Sequence, residues 1–264
     1  MTDEQDARRV VLTGAAGVFG TWMAEAFARE GAHLLLTDVR ADPLRRLADR
    51  LSDAGARVEA RVADLTDPAD LDALAAASAE LWGSPDVLVN NAGIYPRGWL
   101  LDMTRDHFER ILAVNLLAPF QLTQALARQM IEHGVRGSVV NMSSGAAVST
   151  QPGGGPYSTS KAALAMFTRS CALELAPYGI RVNAVAPGFA PGSEVSLLDD
   201  DHVGSMTRSI PLGRTSGPDD APEAVLFLCS PQASFITGTT LTVDGGRTAG
   251  SFNAARHGAG RVVP

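Results

Sequence analysis

Cysteine, excess positive charge and long apolar runs are scarce or absent in this chain of 264 residues. Its two cysteines, Cys171 and Cys229, lack the Cys-x-x-Cys spacing of metal and redox pairs, which predicts buried thiols in a reducing cytoplasm. No run approaches the roughly 18 apolar residues of a membrane span, and residues 1–9 hold no apolar core of a signal peptide. We therefore expect a globular cytoplasmic protein with no membrane partner and no bound metal.

Basic residues are outnumbered, with 22 Lys and Arg against 29 Asp and Glu and a formal net charge of −7. Nucleic-acid binding needs a concentrated basic field, whereas the arginines here are scattered among carboxylates. The hydrophobic fraction of 45% is enough for a large core without disulfides. This balance disfavours a nucleic-acid partner and favours a small-molecule substrate.

Lysine is almost absent, because Lys161 is the single lysine among the 22 basic residues. Arginine is a rigid planar fork, whereas lysine is a compact charge with three rotatable donors, so a site that needs lysine cannot take arginine. Lys161 is therefore either a chance survivor of this bias or a residue with a chemical task.

Short apolar segments alternate with longer segments of helical period, a pattern typical of repeated βαβ units. It predicts an α/β fold in which a doubly wound parallel sheet of about seven strands carries helices on both faces. The predicted strands are 9–13, 32–37, 57–63, 86–90, 137–142, 180–186 and 239–243, and the predicted helices are 21–30, 41–54, 67–81, 104–132, 157–177 and 219–229.

No linker or internal repeat divides the chain, so we expect one domain that comprises residues 1–264. Two segments resist assignment to a helix or strand. We interpret the first, at about 189–210, as a lid, because long irregular inserts after a strand are often functional. The second is the tail, residues 248–264, and the sequence indicates no role for it.

The first predicted strand runs into a glycine-rich turn that contains Gly14, Gly17 and Gly20. Glycines at such a turn let the backbone approach a pyrophosphate at a helix N-terminus, although they also suit a tight turn with close packing. The next strand is followed by Asp38, about 20 residues downstream, where a carboxylate can accept both ribose hydroxyls. Together these features predict a Rossmann-type dinucleotide site.

Asp38 also bears on the choice of dinucleotide. Its charge would repel a 2′-phosphate, and the glycine turn holds no Arg or Lys to attract one. We therefore expect NAD as the cofactor, with NADP less favoured. Arg40 lies close enough to weaken this inference.

Two further loops follow predicted strands. Asp64, with Leu65 after it, either accepts from the adenine amino group or caps the helix that begins near Asp67. The loop at residues 90–93 either ties neighbouring loops and leaves room for a flat cofactor or is simply a turn; its cofactor candidates are Asn91, Ala92 and Gly93.

Tyr157 and Lys161 are four residues apart on a predicted helix, so their side chains share one face. An ammonium beside a phenol stabilises the phenolate and lowers the phenol pKa, which makes tyrosine a usable base near neutrality. The alternative is an incidental pair on a surface helix. Ser144 precedes the pair, and the single lysine of the chain lies within it, which favours a catalytic group.

The order of these motifs resembles the short-chain dehydrogenases/reductases, in their single-domain branch of about 250 residues, over nearly the whole chain. The resemblance implies that Ser144, rather than Ser143, acts with Tyr157 and Lys161, and that Asn115 is the fourth catalytic residue. The cofactor contacts it implies are Gly14, Gly17, Val18, Phe19, Gly20, Asp38, Val39, Asp64, Leu65, Asn91, Ala92, Gly93, Tyr157, Lys161, Pro187, Gly188, Phe189 and Ser193.

The chain departs from the family pattern at two positions. Val18 stands where the single-domain branch usually has glycine, and the spacing of Gly14, Gly17 and Gly20 is commoner in the longer epimerase-like branch. Gly192 stands where a threonine often holds the nicotinamide carboxamide. Ser193 takes that role only if the loop is shifted.

The resemblance implies reversible hydride transfer between a secondary alcohol and NAD⁺, with Tyr157 as general acid/base. Ser144 then binds the substrate oxygen, Lys161 supports Tyr157 and the nicotinamide ribose, and Asn115 holds a water that links Lys161 to solvent. The alternatives are an isomerase or dehydratase with transient hydride transfer and a dinucleotide sensor without turnover. The expected pocket walls, which suit a neutral or moderately hydrophobic alcohol or ketone, are Tyr95, Gln151, Pro152 and Phe189.

The two long predicted helices, 104–132 and 157–177, are apolar around much of their surface. This is more apolar surface than one sheet face can cover, which favours an interface with another subunit. The alternative is that these side chains are deeply buried in the monomer. Relatives that resemble this chain commonly pair these helices, so we expect a homo-oligomer, either a dimer or a tetramer.

Overall fold

The computed structural model describes residues 7–192 and 200–252. It contains one parallel sheet with the strand order β3-β2-β1-β4-β5-β6-β7. The strands are β1 (Arg9–Thr13), β2 (His33–Asp38), β3 (Arg57–Val62), β4 (Val87–Asn90), β5 (Ser138–Met142), β6 (Arg181–Pro187) and β7 (Thr240–Val243). The α-helices are α1 (Val18–Arg29), α2 (Ala41–Asp53), α3 (Pro68–Trp82), α4 (Arg105–Leu112), α5 (Ala118–Glu132), α6 (Gly155–Leu175), α7 (Asp200–Arg208) and α8 (Ala221–Cys229).

Helices cover both faces of this sheet, as predicted. Successive side chains of a strand point to opposite faces, and β2 shows this directly: Leu34 and Leu36 join one core, whereas Leu35 joins the other. The first core contains residues of α1, α2 and α8, and the second contains residues of α3, α5 and α6. The sequence prediction of a doubly wound α/β sheet is therefore confirmed.

The strand order reverses between β1 and β4, which are neighbours in the sheet although β2 and β3 separate them in sequence. In such sheets, ligands bind outside the carboxyl ends of the strands at this switch point. The loops that follow β1, β4, β5 and β6 meet at this edge, and they carry most of the predicted site residues.

The helix predicted at 104–132 is not regular. It consists of α4 and α5 joined by one wide π-helical turn, Ala113–Leu117. Pro119 explains the irregularity, since it has no N–H to donate to the carbonyl of Asn115, and its ring would crowd that carbonyl in a regular α-helix. Such turns occur frequently at functional sites, and this one contains Asn115.

Other bounds differ by a few residues. Helix α1 begins at Val18 instead of residue 21, with Gly17 as its N-cap and Gly20 inside its first turn. The segment predicted to be irregular after β6 contains α7 within the described part of the chain. Ser193 lies outside the described residues, as does the tail from residue 253.

Both cysteines are free thiols, Cys229 buried and Cys171 only partly buried, so the expectation of burial is wrong for Cys171. Burial raises the pKa of each thiol to about 11, which leaves little reactive thiolate at neutral pH. Among residues 7–192 and 200–252, none of the helices combines the length and apolarity that a bilayer crossing requires.

Candidate active site

The glycine turn between β1 and α1 is packed too tightly for side chains. Gly14 has a φ of +62°, and a Cβ there would lie 2.7 Å from the Cα of Ala92. A Cβ on Gly20 would overlap the carbonyl oxygen of Gly14. Gly17 differs, because a Cβ there would meet only the Gly14 carbonyl, at 3.4 Å, and Gly17 begins α1 with no side-chain cap. The first N–H groups of α1 therefore face an open surface lined by backbone.

The loop after β4 is fixed to this turn by four hydrogen bonds. The Asn91 amide Nδ2 donates to the carbonyls of Thr13 and Gly14, both at 2.9 Å. The hydroxyl of Thr13 accepts from the backbone N–H groups of Asn91 and Ala92, both at 3.0 Å. The two loops that flank the switch point thus form one rigid unit, with Gly93 at its end.

The Asp38 carboxylate lies at the end of β2 and is almost fully buried. One oxygen accepts from the backbone N–H of Ala16 at 3.0 Å, which ties β2 to the glycine turn. The other accepts from the backbone N–H of Arg40 at 3.0 Å and from its Nε at 3.1 Å. Arg40 therefore folds directly onto Asp38, in the position where we expected it to weaken the choice of NAD.

Asp64 does not cap helix α3. Its Oδ1 accepts from the backbone N–H and the hydroxyl of Thr66, at 2.9 and 2.8 Å, and these bonds lower the Asp64 pKa. Asp67 is the cap, because its carboxylate accepts from the N–H of Ala69. The capping interpretation of Asp64 was therefore wrong. Two cofactor candidates directly follow these aspartates. Leu65, after Asp64, packs against the core, and Val39, after Asp38, is exposed.

Ser144, Tyr157 and Lys161 come together at the carboxyl end of β5. The Ser144 hydroxyl faces the phenol of Tyr157 closely enough to act on its pKa through hydrogen bonding. The Ser144 oxygen also accepts from the N–H of Ala146 at 3.1 Å, which fixes the loop after β5. The ammonium of Lys161 lies 5.8 Å from the centre of the Tyr157 ring and donates to the carbonyl of Met142 at 2.8 Å.

The ionisation of this group differs from the sequence expectation. Burial raises the pKa of Tyr157 above its ordinary value of 10.0, and the hydrogen bond from Ser144 offsets this only in part. The expected lowering of the Tyr157 pKa is therefore wrong for this structure. Burial also lowers the pKa of Lys161 to about 8, because the ammonium is removed from water and no carboxylate among the described residues pairs with it.

Asn115 is fully buried in the π-helical turn, and its carboxamide is occupied by protein groups. Its Oδ1 accepts from the N–H of Ile94, and its Nδ2 donates to the carbonyl of the same residue, both at 2.8 Å. The second Nδ2 hydrogen reaches the hydroxyl of Ser160 at 3.0 Å. The side chain therefore has no donor left for a water molecule.

The expected pocket walls are only partly assembled around these groups. The ring of Tyr95 packs edge-on against Tyr157, with 5.9 Å between ring centres. Gln151 and Pro152 are exposed, and Phe189 is half-buried. A cavity of about 680 Å³ opens beside the site, and of the four predicted wall residues only Phe189 borders it.

The segment after β7 supports the site, which the sequence analysis did not anticipate. The Asp244 carboxylate accepts from the backbone N–H and hydroxyl of Thr248, at 2.8 and 2.6 Å. Thr248 then packs so closely on Gly145 that a Cβ on this glycine would lie 2.7 Å from the Thr248 methyl group. On the other side, a Cβ on Gly188 would lie 2.9 Å from the Cα of Asp244.

Sequence reasoning assigned no role to Thr13, Ser160 or Thr248, although Thr13 and Ser160 bond to predicted site residues and Thr248 packs on Gly145, next to Ser144. No spacing marks these residues. Each acts through contact with a segment that is distant in sequence, so only the fold reveals it.

Comparison with known proteins gives consistent matches. Residues 14–248 match a family model described as "Enoyl-(Acyl carrier protein) reductase". The chain is 33% identical to sorbitol dehydrogenase from Cereibacter sphaeroides, over 91% of this chain and 97% of that protein. It is 38% identical to L-rhamnose 1-dehydrogenase (NAD(P)(+)) from Azotobacter vinelandii, over 90% and 96%. A crystal structure of a short-chain type dehydrogenase/reductase from Mycobacterium marinum superposes with a TM-score of 0.87, at 32% identity, over 92% of this chain and 96% of that chain.

Proposed function

Because the chain belongs to the short-chain dehydrogenase/reductase family, an oxidoreductase family, we propose that it oxidises a secondary alcohol to a ketone, reversibly, with NAD⁺ as hydride acceptor. The observation that carries this proposal is the convergence of Ser144, Tyr157 and Lys161 at the carboxyl edge of the sheet, next to the glycine turn. Tyr157 is the general acid/base of this reaction.

The described residues fit a nicotinamide dinucleotide. The open backbone surface at Gly17 suits a pyrophosphate, and the Asp38 carboxylate suits a pair of ribose hydroxyls. A Cβ on Gly93 would lie 3.4 Å from the Lys161 ammonium, so glycine leaves that donor accessible. When bound, the dinucleotide supplies the hydride acceptor. The other proposed contacts are Gly14, Val18, Phe19, Gly20, Val39, Asp64, Leu65, Asn91, Ala92, Pro187, Gly188, Phe189 and Ser193.

Each catalytic side chain then has one task in oxidation. Ser144 binds the substrate oxygen and holds it beside the phenol of Tyr157. Tyr157, as phenolate, takes the proton of the substrate hydroxyl while the carbinol C–H bond breaks, and in reduction it returns that proton. Lys161 stabilises the phenolate through its positive charge.

The proton must also leave the site. We assign the water that links Lys161 to solvent to the backbone carbonyl of Asn115 instead of its side chain. Both N–H groups of the carboxamide are used by Ile94 and Ser160, whereas Pro119 cannot donate the helical hydrogen bond to the backbone carbonyl of Asn115.

The substrate that we propose is a neutral polyol or sugar. The two relatives compared above are named for sorbitol and rhamnose. The pocket side chains Tyr95, Gln151 and Phe189 are uncharged, which suits a neutral substrate. Tyr95 offers a partly exposed ring and a hydroxyl beside Tyr157, which suits a polyhydroxy chain.

The experiment that tests this function is turnover by the purified protein with NAD⁺ and, separately, NADP⁺ on a panel of polyols, sugars, cyclic alcohols and hydroxy acids. We expect net formation of reduced nicotinamide with at least one neutral polyol or sugar. Conversion of substrate without net reduced nicotinamide would instead indicate the isomerase or dehydratase alternative. Dinucleotide binding without turnover of any compound would indicate a sensor.

The choice of NAD is tested by two opposite substitutions. Asp38→Ser removes the carboxylate that binds ribose and repels a 2′-phosphate, so we expect the kcat/KM ratio of NAD⁺ to NADP⁺ to fall by about 10- to 100-fold, the worth of one or two charged hydrogen bonds. Arg40→Ala removes a cation beside Asp38 that a 2′-phosphate could pair with, so the same ratio should rise. Steady-state kinetics with both dinucleotides measures each ratio.

Equal ratios for wild type and Asp38→Ser would contradict the proposed role of Asp38. Arg45→Ala is the matched control for Arg40→Ala, because Arg45 is an exposed arginine on α2 that pairs with Asp42. We expect this control to leave the ratio unchanged.

We also propose a homo-oligomer that assembles through α5 and α6. Leu122 and Leu164, two of the apolar side chains on these helices, are buried in the monomer and therefore give no support for an interface. The large apolar side chains that are exposed on the two helices and the turn before α5 are Leu117, Phe120, Ile131, Met166 and Leu173. Large exposed apolar side chains on two helices, which touch through Phe120 and Phe167, are typical of an interface.

Leu173→Arg tests this interface, because Leu173 is 80% exposed in the monomer and a charge there would be buried without a partner in the assembly. We expect the dissociation constant of the oligomer to rise at least about 100-fold, which sedimentation velocity would show as a smaller species. Val62→Arg, on the edge strand β3, is the control and should sediment like wild type. An unchanged mass for Leu173→Arg would contradict the interface.

A further inference from the structure

Ser160 lies between the two catalytic residues of α6, three positions after Tyr157 and one before Lys161, and its side chain is completely buried. Its hydroxyl donates to the backbone carbonyl of Tyr157 at 2.7 Å. The same oxygen accepts from Nδ2 of Asn115 at 3.0 Å. Both the donor and an acceptor function of this hydroxyl are therefore used, each toward a residue of the proposed catalytic group.

The link continues through Asn115 to the loop after β4. Two hydrogen bonds of 2.8 Å join the Asn115 carboxamide to the backbone of Ile94. The next residue is Tyr95, whose ring contacts Tyr157. Ser160 therefore closes a chain of hydrogen bonds that connects α6, the π-helical turn and a wall of the expected pocket.

Gly93 shows that these groups meet in one place. A Cβ on Gly93 would lie 3.4 Å from both the Asn115 oxygen and the Lys161 ammonium. A sideways shift of α6 would therefore change the positions of Lys161 and Tyr157 relative to the loop at the same time. Within this region, Ser160 is the side chain of α6 that bonds to Asn115.

Serine suits this position for a physical reason. Alanine would leave one N–H of the buried Asn115 carboxamide without an acceptor. Threonine would add a methyl group where the side chain already has no exposed surface. Cysteine keeps nearly the same shape but is a weaker donor and acceptor. Serine, cysteine and alanine therefore form a series of decreasing hydrogen-bond strength at similar volume.

We propose that Ser160 is a positioning residue for Tyr157 and Lys161: through Asn115 it fixes the turn of α6 that carries both residues against the Ile94 loop. This inference rests on the proposed function. Without the hydroxyl, the phenol of Tyr157 stays buried but loses its alignment with Ser144 and Lys161. Its ionisation then requires a higher pH.

The chain allows a direct measurement of this ionisation, because it has only three tyrosines. In a Tyr95→Phe/Tyr178→Phe background, Tyr157 is the one remaining phenol, and its phenolate absorbance can be titrated without a substrate. We expect Ser160→Ala to raise the midpoint of the Tyr157 titration by at least about half a pH unit, which is a change of less than tenfold in the ionisation constant of the phenol. Ser160→Cys should raise this midpoint less.

Kinetics on the otherwise wild-type chain provide the second readout. Ser160→Ala should lower kcat about tenfold with KM within about twofold, and the acidic limb of the kcat/KM profile for oxidation should move up by the same amount as the phenol midpoint. Ser160→Cys should lie between alanine and wild type. Ser170→Ala is the control, because Ser170 is an exposed serine of α6 whose hydroxyl donates to Glu174, away from the catalytic group.

Three outcomes would overturn the inference: an unchanged Tyr157 midpoint in Ser160→Ala, a kcat within twofold of wild type, or a loss confined to thermal stability and dinucleotide affinity. If Ser160→Ala does not fold, the same criteria apply to Ser160→Cys. Wild-type protein that turns over no alcohol, together with a shifted Tyr157 midpoint in Ser160→Ala, would contradict the proposed function and support the positioning role.

Discussion

Tyr157→Phe is expected to lower kcat for alcohol oxidation at least about a thousandfold, because it removes the group that takes the substrate proton. The ring and its packing against Tyr95 remain, so the site should keep its shape. Dinucleotide affinity should therefore change by less than about threefold, since general-base catalysis and cofactor binding use different groups. Initial rates and titration calorimetry measure the two quantities on the same preparation.

Tyr95→Phe is the matched control, since it makes the same chemical change 5.9 Å away between ring centres. This variant should keep kcat within about tenfold of wild type, because Tyr95 transfers no proton in the proposed reaction. Retention of a tenth of the wild-type rate by Tyr157→Phe would disprove the assignment of Tyr157 as general base.

Lys161→Met is expected to have two effects of opposite sign. It removes the cation that supports the Tyr157 phenolate, so kcat should fall at least about a hundredfold. It should also stabilise the fold at neutral pH, because burial lowers the Lys161 pKa from 10.5 to about 8, which means that the charged form is disfavoured in the folded state. After allowance for the lost hydrogen bond to Met142, the gain in the free energy of unfolding should be about 1–3 kcal/mol.

The sign of this gain fixes its pH dependence. A group whose pKa is lower in the folded state destabilises the fold fully at a pH below its folded pKa, and this cost disappears as the pH rises to the unfolded pKa. The advantage of Lys161→Met should therefore be complete below about pH 8 and should vanish near the ordinary pKa of 10.5. Denaturant unfolding at several pH values measures it. A variant less stable than wild type at neutral pH would show that the buried ammonium carries no such cost.

The fold and the catalytic group were predictable because their signals are local. Alternating strand and helix periods predict the parallel sheet, and the four-residue spacing of Tyr157 and Lys161 places both on one turn of α6. The lone lysine was informative for the same reason, because its rarity can be read from composition alone. In the structure, the ammonium of Lys161 is buried beside the phenol of Tyr157.

The remaining features depend on contacts between segments that are distant in sequence. The contact between Thr248 and Gly145 joins residues that are about a hundred positions apart in sequence. The hydrogen bond between Asn115 and Ser160 joins the π-helical turn to α6. The sign of the Tyr157 pKa shift was missed because helical spacing indicates a nearby charge but not the depth of burial. Burial is a property of the packed structure, and it outweighs the neighbouring groups here.

Deuterium transfer is the direct test of hydride transfer from the carbinol carbon of the alcohol to the nicotinamide. The best alcohol from the panel, deuterated at its carbinol carbon, is oxidised by the wild-type protein, and the reduced nicotinamide is isolated and analysed by NMR. We expect each reduced nicotinamide to carry one deuterium at C4, on a single face. Reduced nicotinamide without deuterium, or substrate converted with no net reduced nicotinamide, would contradict hydride transfer from a secondary alcohol to a released cofactor.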